Sequence, residues 1–392
     1  MAITIQDILT QINAVISQHT ETPALDAQVL VAHFLEKPRS WVLAHPDAHI
    51  DDHQYNKIIQ GMHRLEIGEP LPYVIGHWEF FGLDFHLTPD VLIPRPETEL
   101  LVENGITWLR NHPDQRKAID VGTGSGCIGI ALAKYIPDLQ VLMTDISPGA
   151  LNVARVNAEK HELLDRMEFR QADLMDGIEV YFNLICANLP YIPYPLLRKL
   201  SVAEREPRLA LDGGLRGTKL ISRLMDQSRS HLLPCGTILL EIESSQGADV
   251  ISMASFFYPD SHLELLKDLS GYDRCIGITP SHNLVHLCQE KEWLGARELG
   301  IFKSKSLDHE GFIHCSQPQQ ILQVANRFYQ GIPGLILLWI DPEKINSVIR
   351  WEAADGAIFP HIYGPINLDA IFSMTNINPD DDGIFRLIQI PD

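Results

Sequence analysis

Apolar residues along the N-terminal part of the chain recur with a helical period. Ile5, Ile8, Leu9, Ile12 and Ile16 share one face, with Thr4 placed to cap the helix they define. Leu25, Val29, Leu30 and Phe34 make a second such face, ending before Pro38, and a third helix is predicted over 51–67, closed by Gly68. Residues 1–68 therefore read as a small helical bundle. It has no catalytic cluster, so it is either a recognition module or a stabilising cap. Between 69 and 98 the period breaks. Pro, Gly and aromatic residues predict a linking hairpin, with strands over 79–81 and 83–86 around Gly82.

From Lys117 onward short apolar runs alternate with helical stretches. Strands are predicted over 118–121, 141–144, 167–171, 182–187 and 236–242, with helices over 128–135, 148–161 and 218–233. Two further strands, 263–269 and 274–278, turn at Gly271. Such alternation means a mostly parallel sheet covered on both faces, which binds its ligand outside the C-terminal ends of the strands. A last unit begins near Leu284 without a glycine-rich loop, with strands over 284–287, 335–340 and 348–351 and helices over 290–300 and 318–329. The expected division is thus 1–68, 69–98, 99–280 and 284–392, with 279–283 as a linker.

Composition narrows the function. A chain of 392 residues exceeds one compact domain. Its 31 Lys and Arg against 51 Asp and Glu give a net charge of −20, which argues against general nucleic-acid binding driven by phosphate neutralisation. Six scattered Cys without a Cys-x-x-Cys pair suit reduced thiols. The first residues lack the features of a signal peptide and no apolar run approaches a membrane span, so a soluble cytoplasmic protein is expected. The 17 His show no zinc-ligand spacing, and no metal is expected.

The chemistry gathers where strands end. Gly122-Thr123-Gly124-Ser125-Gly126 follows the first strand of the alternating series and opens a helix. Its G-x-G-x-G spacing is shorter than the dinucleotide fingerprint and lacks the Lys of a triphosphate loop, which favours S-adenosylmethionine. Asp145, ending the second strand, suits both ribose hydroxyls or a helix cap. Asp173 and Leu174, after the third, suit the amino group and ring of adenine. Asn188-Leu189-Pro190-Tyr191 ends the fourth. There the Asn side-chain oxygen and the Leu189 carbonyl can accept two N–H bonds from a planar amide or amine, and Tyr191 can wall the pocket.

Taken with Glu69-Pro70, Leu92-Ile93-Pro94-Arg95-Pro96-Glu97-Thr98-Glu99, Glu206-Pro207, Leu209-Ala210-Leu211 and Leu240-Glu241-Ile242, these motifs resemble the HemK/PrmC family of glutamine-N5 methyltransferases over residues 1–280. The resemblance implies a Rossmann-like S-adenosylmethionine-dependent methyltransferase with an N-terminal helical substrate domain. It implies the glutamine of the Gly-Gly-Gln motif in class-1 peptide chain release factors as methyl acceptor. The family has Pro where this chain has Leu189, a change that keeps the backbone carbonyl and loosens the loop. Asn-Leu-Pro-Tyr is also similar to the motif of ribosomal RNA adenine dimethyltransferases, so an adenine-N6 methyltransferase is the alternative enzyme. A non-catalytic, cofactor-binding regulator of translation is the alternative without turnover. The C-terminal unit resembles a small uncharacterised bacterial domain family of α+β type. Its His286, His314, Arg327, Glu352, His361 and Tyr363 are candidates to line a polar cleft.

Overall fold

The computed structural model describes residues 3–354 and 356–386. Helix α1 (Ile5–Ile16) starts as expected. Thr4 Oγ1 accepts the Asp7 N–H, and the Asp7 carboxylate accepts the Thr4 N–H, a reciprocal cap. Its buried Ile5, Ile8, Ile12 and Ile16 pack with α2 (Pro23–Leu35) and α4 (Asp52–Glu66) into one apolar cluster. Pro38 ends the second helix, as read, and also opens a short α3 (Arg39–Ala44) that the apolar pattern is too brief to show. Helix α5 (Leu71–Ile75) occupies part of the stretch expected to be linker.

The hairpin pairs β1 (His77–Phe80) with β2 (Leu83–His86). Phe80 and Phe85 are buried in the core of the α/β unit, whereas Leu71, Val74 and Ile75 belong to the helical cluster. Trp78 touches both, so the segment is a wedge between two cores and not a loose tether.

The α/β unit comprises α6 (Glu99–Asn111), β3 (Lys117–Val121), α7 (Cys127–Tyr135), β4 (Gln140–Asp145), α8 (Pro148–Lys160), β5 (Met167–Gln171), β6 (Phe182–Ala187), short α9 (Tyr194–Leu197) and α10 (Val202–Arg205), α11 (Lys219–Ser228), β7 (Leu232–Glu241), α12 (Gly247–Phe257), β8 (Ser261–Lys267) and β9 (Asp273–Pro280). The sheet runs β5-β4-β3-β6-β7-β9-β8. The first five strands are parallel, and β9 and β8 close the edge as an antiparallel hairpin. All six residues of β6 are buried, which explains why it is apolar but for Asn183, whose side chain bonds the Lys117 N–H. One sheet face packs on α6, α7 and α8, the other on α11 and α12. Strand order reverses about β3, between β4 and β6, and opens a crevice at the C-terminal strand ends.

The last part holds β10 (Leu284–Gln289), α13 (Glu290–Leu299), β11 (Ile301–Phe302), α14 (Lys305–Glu310), β12 (Ile313–His314), α15 (Ile321–Phe328), β13 (Leu335–Ile340), β14 (Val348–Ala354), β15 (Ala357–Tyr363), β16 (Ile366–Asn367) and β17 (Ile371–Ile377). Antiparallel β10-β13-β17 sorts alternate residues onto two cores, Leu284, Cys288, Ile336, Leu338 and Ile340 on one face and Val285, Leu287, Leu335, Leu337 and Trp339 on the other. Strand β15 lies outside the strands expected for this part, and it contains Pro360, which lacks a ladder donor. It is nonetheless the middle strand of β12-β15-β14. Arg229, just after α11, joins this part to the α/β unit, its Nε and Nη2 donating to the Gln319 carbonyl at 2.8 and 2.6 Å. Among the described residues no helix is long and apolar enough to cross a membrane.

Candidate cofactor and acceptor site

A cavity of about 390 Å³ lies over the C-terminal ends of β3, β4, β5 and β6. Gly122, Thr123, Gly124 and Ser125 form its floor beneath Asp145, Ile146, Asp173, Leu174, Asn188 and Leu189. Gly126 does not line it, contrary to the expectation for the whole loop. With φ +83° it caps α7, and a Cβ there would meet Ile130 Cδ1 at 2.9 Å and Met143 Cε at 3.0 Å, so its task is close packing of helix on sheet. The loop is held from below by Asp120. Its Oδ2 accepts the Thr123 hydroxyl at 2.6 Å and the Gly129 N–H at 3.0 Å. Burial pushes the Asp120 carboxyl up to about 6 against those two bonds.

Asp145 takes one backbone N–H on each oxygen, from Gly124 on Oδ2 and Ser147 on Oδ1, both at 2.9 Å. Each oxygen keeps further acceptor capacity toward the cavity. Burial raises its pKa and the backbone donors lower it. Asp145 does not cap α8; Ser147 does, through its bond from the Ala150 N–H. Asp173 also borders the cavity, but its carboxylate is not free as expected for an adenine acceptor. Arg223 of α11 clamps both its oxygens, at 3.2 and 3.0 Å. Leu174 is buried at the same wall with φ +59°.

At the end of β6 the Asn188 carboxamide has a defined orientation. Its Nδ2 donates to Thr98 Oγ1 at 3.0 Å, and no protein donor reaches its Oδ1 among the described residues. The Leu189 carbonyl is likewise uncommitted. The Leu189 side chain is buried beneath the glycine loop, where a Cβ on Gly122 would meet its Cδ2 at 3.1 Å. Tyr191 departs from the expected pocket wall. It is not among the cavity-lining residues; it packs on the core of the other sheet face and its hydroxyl donates to Glu241 Oε1 at 3.1 Å. The backbone there is held by Gln246 at the Tyr191 carbonyl and by Leu211 and Gly213 at Ile192, which fixes the Tyr191 side chain on the core side. Arg95 and the Ile93 N–H both bind Glu206, tying the Pro-Arg-Pro loop to the segment that carries Pro207, Leu209 and Ala210 over the cavity mouth.

The chain is similar to known proteins along most of its length. Family models match residues 7–76 as a PrmC N-terminal domain, 97–196 as a methyltransferase small domain, and 287–374 as a protein of unknown function, DUF952. The chain is 36% identical over 261 residues to the release factor glutamine methyltransferase of Koribacter versatilis, covering 66% of this chain and 91% of the relative. It is 39% identical over 258 residues to that of Moorella thermoacetica, covering 65% and 90%. The chain belongs to the release factor glutamine methyltransferase family. The chain is also 30% identical to protein CC0527 of Caulobacter crescentus, over 26% of this chain and 92% of that one, with a TM-score of 0.25.

Release factor glutamine methyltransferases use S-adenosylmethionine as methyl donor. The residues present fit that group: a Gly-rich floor without side chains over it at Gly124, a carboxylate at Asp145 with acceptor capacity to spare, and apolar walls from Ile146, Leu174 and Leu189. The sequence motifs named Thr98, Glu206 and Glu241 without giving them a role in the site, and Arg223 went unnamed. Glu241 did leave a signal, a carboxylate inside the apolar run Leu239-Leu240-Glu241-Ile242. In the C-terminal part the structure brings His314, Glu352, His361 and Tyr363 together. The His361 Nδ1 meets Glu352 Oε2 at 2.6 Å, the Tyr363 hydroxyl donates to Glu352, and Phe312 stacks on His361. His286 instead turns to the His314 carbonyl, and Arg327 lies on α15 over Phe328.

Proposed function

We propose that this chain transfers a methyl group from S-adenosylmethionine to the side-chain nitrogen of the glutamine in the Gly-Gly-Gln motif of class-1 release factors. The observation that carries this reading is the Asn188 carboxamide. With Nδ2 engaged by Thr98, its Oδ1 and the Leu189 carbonyl are two unspent acceptors side by side at the cavity. A primary amide brings two N–H donors. Held by both acceptors, the amide nitrogen is fixed in place, and positive charge building on it during transfer is favoured. S-adenosylmethionine supplies an electrophilic methyl group. The nitrogen loses a proton to water after the new bond forms, so no dedicated protein base is required. Asp145 holds ribose hydroxyls, Leu174 covers the adenine ring, and the Asp173–Arg223 pair borders it. Mass spectrometry of a release factor incubated with the protein and S-adenosylmethionine tests the reading. A gain of one methyl on that glutamine is expected, and an unmodified factor, or methylated RNA in its place, overturns it.

Asp145→Ala is expected to weaken S-adenosylmethionine binding by roughly 1.5–3 kcal/mol, the scale of hydrogen bonds to a charged group. Calorimetry on the folded variant measures this, and unchanged affinity removes Asp145 from the ribose site.

The reading assigns residues 1–68 to recognition of the protein substrate, 69–98 to the linking wedge, 99–280 to methyl transfer, and 284–392 to a separate unit. The sheet ends at β9, every cavity residue precedes Glu243, and the two C-terminal cores share no residue with the others. A chain ending at Ser281 is therefore expected to fold, bind S-adenosylmethionine and methylate a release factor at a rate close to that of the full chain. A soluble but inactive shortened protein would show that the last part completes the enzyme.

A further inference from the structure

The Asn188–Thr98 bond continues into a buried polar network that reaches Glu241 and Tyr191. Thr98, buried in the turn before α6, accepts the Asn188 carboxamide on Oγ1. Beside it Glu241, at the end of β7, is only 2% exposed. Its Oε1 accepts the Tyr191 hydroxyl, while its Oε2 is buried without a hydrogen-bond partner. A hydroxyl carries one proton. Having accepted from Asn188, Thr98 must send its own proton elsewhere, and the adjacent Glu241 carboxylate is an acceptor with an oxygen to spare.

The orientation of a carboxamide is decided by the bonds it makes. With Glu241 ionised, its Oε1 holds the Tyr191 hydroxyl and its unpartnered Oε2 can take the Thr98 proton, which leaves a lone pair of Thr98 Oγ1 for Asn188 Nδ2. With Glu241 protonated, its own O–H can donate to Thr98 Oγ1, and the Thr98 proton turns to Asn188. The carboxamide is then favoured in the flipped state, which would present Nδ2, a donor, to a substrate that also donates. We propose that Glu241 is a positioning residue for methyl transfer. Through Thr98 it fixes which way the Asn188 carboxamide lies, so that Oδ1 and not Nδ2 meets the substrate amide. This rests on the reading of Asn188 as amide acceptor.

The switch falls in an accessible range. Burial pushes the Glu241 carboxyl up to about 7, against the Thr98 and Tyr191 hydroxyls, which lower it. The charges facing it are Glu97, before α6, which raises it, and Arg274 of β9, which lowers it and is itself paired with Asp268. Tyr191, Cys127 of α7 and Cys275 of β9 also face it. Burial raises the pKa of all three, so they stay neutral in that range. Activity therefore requires the deprotonated form, and kcat falls as pH drops through the Glu241 titration.

The test uses the full chain with a release factor and S-adenosylmethionine. Wild-type kcat is expected to fall about tenfold per pH unit below that titration. Glu241→Gln should lower the plateau and abolish this acidic limb. Thr98→Val should lower kcat about tenfold or more while leaving cofactor affinity within about threefold, and Thr98→Ser should restore it. In protein labelled with 15N-asparagine, the Asn188 carboxamide signal should titrate with the same midpoint, and cease to do so in Glu241→Gln. A retained acidic limb in Glu241→Gln, or equal loss of cofactor binding and turnover in Thr98→Val, overturns the proposal. If wild-type protein leaves the release factor unmodified while the Asn188 signal still titrates with Glu241, the substrate reading fails and the coupling stands. A signal that does not titrate overturns the coupling whatever the substrate.

Discussion

Asn188→Ala is expected to lower turnover of a release factor by about 10²–10³, the cost of removing one preorganised polar contact at a reacting centre. The expected loss lies in kcat, because the contact strengthens as charge develops on the substrate nitrogen. Cofactor affinity should fall by less than about tenfold, since Asp145 and the glycine floor remain in place. The variant should also fold. Asn188 is partly exposed to the cavity, so its removal leaves no void in the core. Steady-state kinetics with calorimetry on the same sample separates the two quantities. Turnover near the wild-type rate would mean that the Asn188 and Leu189 oxygens do not hold the amide.

The parts of this site that the sequence made legible are those set by a single strand end. β3, β4 and β6 are short, mostly apolar runs and β5 alternates apolar with polar residues, so the glycine loop, Asp145, Asp173 and Asn188 fall together at one edge of the expected sheet. What was not legible is set by partners far apart in the chain. Thr98 meets Asn188 across 90 positions, Arg95 meets Glu206 across 111, and Arg223 reaches Asp173 across 50. None of these pairs leaves a periodic trace, because each is made by sheet order and not by local spacing. The same cause moved Tyr191 out of the pocket. A tetrapeptide shows which side chains are near in sequence, but the chain direction after Pro190 decides which of them face the ligand. Two missed helices have a local cause: α3 and α5 are too short to show a helical period.

The loop that fixes this chain direction is the most demanding feature of the site, and Gly217→Ala should expose it. After Tyr191 the backbone is stapled to residues 211–217. Ile192 donates to the Leu211 carbonyl at 3.1 Å, Gly213 donates back to Ile192 at 2.9 Å, and Tyr194 donates to Gly214 at 2.8 Å. Gln246 Nε2 holds the Tyr191 carbonyl from the other side at 3.0 Å. Gly217 sits inside this staple with φ +79°, and a Cβ there would lie 2.1 Å from the Tyr191 carbonyl oxygen and 2.5 Å from Gln246 Nε2. The oxygen is backbone and cannot swing aside. Positive φ costs an L-residue about 1–2 kcal/mol and forced overpacking about 1–3 more, so a destabilisation of roughly 2–5 kcal/mol is expected. Relief requires moving the Tyr191 peptide, which is joined through Pro190 to the Leu189 carbonyl, so turnover should fall together with stability. Gly271→Ala is the matched control. It has φ +83° in the β8–β9 turn and nothing within 4 Å of its would-be Cβ, so it bears the conformational cost alone. In denaturant titrations Gly217→Ala should unfold well before Gly271→Ala, and only Gly217→Ala should lose turnover. Equal midpoints would show that the 211–217 loop yields freely and does not set the course of the chain behind Asn188.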